Sequence, residues 1–141
     1  MSKFILNLAV AGVLVSAPLY PNWIKTPTDL SVWLVNSFTY QEEEEGEDYW
    51  KKLEETVRDK GGDCEDFSFL VDKILTDLNY KTKVIAIYWE DSAHAICIIE
   101  KNNKYSFFSN QYYFSTKYNS IKELVEKNYS AYKYYKRIYL K

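Results

Sequence analysis

Two side chains in this sequence could act together as a nucleophile and its base. Cys64 stands in the stretch Gly61-Gly62-Asp63-Cys64-Glu65-Asp66-Phe67, and His94 is the chain's single histidine. A cysteine paired with a histidine elsewhere is the footprint of thiol chemistry: a thiolate attacks a carbonyl carbon and an imidazole carries the proton. The neighbours of Cys64 place it at a helix start. Two glycines stop one helical pattern, Asp63 caps the next, and Asp66 three residues on completes a capping box. Phe67, Leu70, Val71, Ile74, Leu75 and Leu78 then follow helical spacing. A cysteine in that first turn meets the positive end of the helix dipole and free backbone N–H groups, which favour its thiolate. A cysteine in an apolar helix is ordinarily core. This one precedes the apolar stripe and lies among three carboxylates, which core cysteines seldom do.

These residues carry a resemblance. The box Gly61-Gly62-Asp63-Cys64-Glu65-Asp66-Phe67, with His94-Ala95 opening a later apolar strand, resembles the transglutaminase-like cysteine peptidase superfamily, and within it the bacterial transglutaminase-like cysteine proteinases. Thr26-Pro27, Phe38-Thr39-Tyr40 and Tyr49-Trp50 match upstream, so the likeness runs from about Thr26 to about Gln111. It implies an α+β, papain-like core with the nucleophile on a helix start and the base on a facing strand. It also implies an orienting Asp about fifteen residues after the histidine, where this chain has Ser109 followed by Asn110.

The third member of the site therefore depends on strand register. If Asn102-Asn103 form a two-residue hairpin loop, His94 lies opposite Gln111 and Ser109 shares its face; if Lys104 joins the loop, Asn110 turns to that face. Asn110 is favoured here, because an amide carbonyl accepts an imidazole N–H well and Cys-His-Asn arrangements exist. Ser109 and Gln111 remain alternatives. For the oxyanion, the Cys64 backbone N–H is the first donor expected, and Trp50 is a candidate second through its indole N–H. Some relatives hold calcium beside the cysteine, so Asp63 and Glu65 are candidate ligands; capping and dipole compensation explain both residues without a metal. No cofactor is required.

The elements that must position these residues can be read in order. Phe4 to Val15 is apolar apart from Asn7, which suits either a signal-peptide core or an element packed on the fold. Export is slightly preferred; a packed element would fit a cytoplasmic protein, and a retained segment could anchor the chain to a membrane. Residues 1–25 are thus set apart from a transglutaminase-like domain over 26–141. Thr26 caps a helix with Pro27 in its first turn and Leu30, Trp33, Leu34 and Phe38 on one face. The acidic run Gln41 to Asp48 reads as a solvated loop, and Trp50, Leu53 and Val57 as a short amphipathic helix. Val84–Trp89, His94–Lys101 and Tyr105–Ser109 read as strands. Ser120 with Glu123 is a capping box for a short helix, and Tyr129–Leu140 reads as a last edge strand.

Composition limits the remaining choices. The chain has 141 residues, 47% hydrophobic and 27% charged, which is a single globular domain. A net charge of -2 gives no basic footprint for nucleic acid. Its 14 tyrosines, some interleaved with Lys133, Lys136 and Arg137, fit strand formation and edge protection better than base stacking. The two cysteines make no disulfide framework. The function expected is a thiol-dependent amide hydrolase acting on a peptide or protein. Transglutaminase-type acyl transfer and a catalytically silent binding module are the alternatives.

Overall fold

The computed structural model describes residues 18–42 and 51–140. The apolar segment at 4–15, most of the acidic run and Trp50 lie outside them. Thr26 caps α1 (Pro27–Ser37): its hydroxyl accepts the Asp29 N–H at 3.2 Å, and the Asp29 carboxylate accepts the Thr26 N–H in return. Phe38 ends that helix and leads into β1 (Thr39–Tyr40), then α2 (Leu53–Asp59). The glycines do not end α2 themselves. Lys60, at φ 55°, is the left-handed cap, and Gly61–Gly62 form β2, paired parallel with β1. A side chain at Gly61 would collide with the Thr39 carbonyl and lie 2.6 Å from Gln41 Nε2; one at Gly62 would strike the Asp66 side chain.

Next come α3 (Cys64–Asp77), β3 (Lys81–Tyr88), β4 (Ala93–Lys101), β5 (Lys104–Ser109), β6 (Tyr112–Tyr118), α4 (Ile121–Asn128) and β7 (Tyr134–Arg137). The last five strands form one antiparallel sheet in the order β6-β5-β4-β3-β7. The architecture is α+β, as the sequence suggests. Strand β6 goes beyond the sequence reading, and β7 is shorter than the stretch Tyr129–Leu140 assigned to it. The α4 cap also differs in detail. Ser120 Oγ accepts the Glu123 N–H at 3.0 Å, but the Glu123 carboxylate takes the Asn119 N–H rather than closing the box on Ser120.

Alternation along β4 sorts its residues between two cores. Cys97 and Ile99 pack with Phe67, Leu70, Ile74 and Leu34 beneath α1 and α3, and Ala95 lies on that face beside Phe69 and Cys64. Ile96 and Ile98 pack with Phe107, Leu124 and Val125 beneath α4. The sheet is covered on both faces, and at about 25 cal/mol per Å² of apolar area its two cores supply the main drive for folding. No helix among the described residues is long and apolar enough to cross a membrane.

Candidate active site

The nucleophile's position follows from the capping box expected at Asp63. Asp63 Oδ1 accepts the N–H groups of Glu65 and Asp66, each at 3.0 Å, and the Asp63 N–H donates to Asp66 Oδ2 at 3.0 Å. The cap engages the second and third amides of α3 and leaves the Cys64 N–H free of it. Cys64 Sγ accepts the Ala95 N–H at 3.5 Å. Both cysteines are free thiols, Cys97 fully buried.

The environment of Cys64 does not favour the resting thiolate expected from the helix start. Burial pushes the thiol up to about 11; the Ala95 N–H lowers it, while the carboxylates of Asp63 and Glu65 raise it again. Burial also holds His94 below the usual imidazole value. Both shifts favour the uncharged forms, thiol and neutral imidazole.

His94 continues the alternation of Ile96 and Ile98, so its ring is on the α4 side of the sheet while Cys64 comes from the α3 side. Both line one cavity at the start of β4, of about 260 Å³, together with Glu65, Ala86, Tyr88 and Ala95 among others. Lys101 pairs with Lys104, which makes Asn102-Asn103 a two-residue loop, both residues at left-handed φ (54° and 61°). This register brings Ser109, not Asn110, to the imidazole: His94 Nε2 and Ser109 Oγ are 2.9 Å apart. Asn110 instead occupies the next turn at φ 52°, a conformation asparagine tolerates, and its buried Oδ1 has no partner among the described residues. Gln111 is also drawn elsewhere. Its Nε2 donates to the Phe38 carbonyl at 3.1 Å, and its own carbonyl accepts Ser31 Oγ at 2.8 Å.

Two site neighbours escaped the sequence reading. Tyr129, placed there in the last strand, is the residue that ends α4. Its ring centroid lies 5.7 Å from that of His94. Tyr40, quoted only as part of an upstream match, lies near enough to Cys64 and Asp63 that burial and those charges raise its phenol to about 12. Nothing distinguished either one among 14 tyrosines.

Asp63 Oδ1 already holds two amide donors, and no group of three or more potential ligands occurs among the described residues.

A capped helix that delivers a cysteine against an antiparallel sheet carrying a histidine defines a papain-like thiol fold. A family model described as a transglutaminase-like domain matches residues 14–137, and the chain belongs to that family. Among solved structures, one from Cytophaga hutchinsonii described as "a putative cysteine protease" is similar, with a TM-score of 0.50 and 12% identity. The match covers 80% of this chain and 42% of that one, a likeness of fold. No curated protein matches the chain.

Proposed function

We propose that the chain is a thiol-dependent amide hydrolase acting on peptide or protein substrates through an acyl-enzyme. The observation that carries this reading is the shared cavity. There Cys64, with its backbone N–H left free by the cap, shares a lining with a histidine whose Nε2 is already engaged by Ser109. Nδ1 is then the nitrogen available to the thiol. As Sγ bonds to the amide carbon, its proton passes to Nδ1. Collapse of the tetrahedral intermediate breaks the C–N bond, and Nδ1 returns that proton to the departing amine. Water, deprotonated by the same nitrogen, then cleaves the thioester.

The Cys64 N–H is the first donor to the developing oxyanion. Tyr40, whose raised pKa keeps its hydroxyl protonated, is a second donor beside Cys64; Trp50 is the candidate second donor read from the sequence. Ala86, Ala93, Ala95 and Ile138 make the cavity wall largely apolar, which suits an acyl group bearing an apolar side chain.

Incubating the protein with a peptide library and reading new N-termini by mass spectrometry tests this, alongside Cys64→Ala. Cleavage that disappears in the variant is the expected result. Adding a glutamine peptide with a labelled amine separates hydrolysis from acyl transfer. Absence of both cleavage and Cys64 acylation would overturn the reading in favour of a silent binding module.

A further inference from the structure

The catalytic cavity has a neighbour. A second hollow, of about 210 Å³, opens between α3 and the chain that runs on from β7, and Ile138 is a wall of both. The two are laid out along one strand. Alternation puts Tyr88, Ala86 and Val84 of β3 on the α3 face of the sheet, opposite Ala93, Ala95 and Cys97. Tyr88 and Ala86 floor the catalytic cavity, and Val84 floors its neighbour. Helix α3 forms one side throughout, from Cys64 at its start to Phe69 and Thr76 further along. Ile138, whose N–H donates to the Val84 carbonyl at 3.0 Å, and then Leu140 form the other. Cys64, Ala95, Phe69, Val84 and Ile138 pack as one apolar cluster, so apolar surface continues from the nucleophile into the second hollow.

The spacing of the two hollows is that of an extended peptide. A strand advances roughly 3.3 Å per residue, so Val84 and Ala86 set the two floors roughly 6.6 Å apart. Side chains two positions apart on an extended segment share a face at that same repeat, and adjacent ones do not. The groove therefore suits a segment that puts one side chain into the catalytic cavity and the next but one over Val84. Volume points the same way. Ligand sites enclose roughly 300–1,000 Å³; each hollow falls below that range, and the pair falls inside it. Leu140 stays 45% exposed at the rim, and apolar surface left open beside a reactive cavity marks a ligand groove.

We propose that the hollow over Val84 is a side-chain subsite of the substrate groove, with Ile138 the specificity-determining ridge between it and the catalytic cavity. The substrate is then an extended peptide with apolar side chains at alternate positions, the second of leucine or phenylalanine size. This inference rests on the hydrolase reading for its occupant: the apolar surface that starts at Cys64 makes the reacting peptide, rather than a separate partner, the chain that fills the groove.

Blocked hexapeptide pools test it in two arms. Two positions are held as leucine or serine, next to each other, one apart or two apart, and the rest are randomised over small polar residues. In the first arm, wild type should cleave the pool with leucines one residue apart about tenfold faster than any single-leucine pool, and the other spacings should gain nothing. Leu140→Asp, which charges the rim, should return that ratio to about one, and Ile138→Ala, which merges the hollows, should flatten the spacing preference. Each readout compares two substrates on one protein, so a variant that only loses folded material leaves the ratio alone. In the second arm, methyl ¹H–¹³C spectra of Cys64→Ala follow Ala86 and Val84 as uncleaved peptide is added. Single-leucine pools should move Ala86, and the alternate pair should move both. Cleavage indifferent to spacing, or a preference that survives Leu140→Asp, overturns the subsite and leaves the hydrolase reading. Ala86 and Val84 shifts with the alternate pair, in a chain that neither cleaves nor acylates at Cys64, leave the subsite and remove the hydrolase. Silence in both arms at millimolar peptide overturns both.

Discussion

The two halves of the site are built over different distances along the chain. The nucleophile's half is assembled within six residues: Gly61 and Gly62 let β2 lie against β1 and the Asp66 carboxylate, and Asp63 and Asp66 cap the helix that starts at Cys64. The base's half joins the start of β4, the end of β5 and the residue that closes α4. Local capping geometry tolerates change in the rest of the fold. A site spread over three elements depends on register and packing, so the two halves should fail in different ways.

The largest effect expected is one in which the halves act as a unit. Cys64→Ala and His94→Ala should each lower the rate of amide cleavage by about 10⁴-fold, and the double variant by scarcely more, because residues acting in one step are non-additive. Single-turnover rates on an activated amide would check this. Additive losses would mean that the halves work separately.

The pH response should separate them next. With its thiol raised to about 11, Cys64 should alkylate at neutral pH about 10²-fold more slowly than a free cysteine of pKa about 8.5, the rate climbing until about pH 11. Mass spectrometry at Cys64, with buried Cys97 as internal reference, reads this directly. The same shift has a stability counterpart. The folded state holds the Cys64 proton more tightly than the unfolded chain, so this contribution is complete below about pH 8.5 and is lost as pH rises toward about 11. Tyr40, raised to about 12, acts in the same direction. A midpoint of urea unfolding that rises between pH 8.5 and 10.5 would contradict the Cys64 shift; the Tyr40 contribution is lost higher, between about pH 10 and 12.

Stability variants sharpen the contrast further. Gly61→Ala should cost about 2–3 kcal/mol, since the new methyl meets the Thr39 backbone rather than a movable side chain. Asp63→Ala should cost about 1–2 kcal/mol through loss of two capped amides. Both are read from urea midpoints. Smallest is Asn103→Gly, which relieves a left-handed residue in the β4–β5 loop and should stabilise by a few tenths of a kcal/mol while holding Ser109 in register.

What the sequence determined by itself was whatever a residue can arrange with neighbours three or four positions away. Thr26 with Pro27, Asp63 with Asp66, and the apolar stripe from Phe67 to Leu78 each specify a helix start or face, because a short side chain reaches amides of its own first turn. The strand pair flanking Asn102-Asn103 was equally legible. Three other features needed tertiary structure. A single-residue difference in loop length exchanged Ser109 for Asn110, since strand side chains alternate faces and nothing local marks which face wins. Burial outweighed the helix start at Cys64, because desolvation depends on everything packed over a group and the dipole only on the turn beneath it. Tyr129 reached His94 because α4 folds back across the sheet, and no spacing in the sequence records where a chain crosses itself.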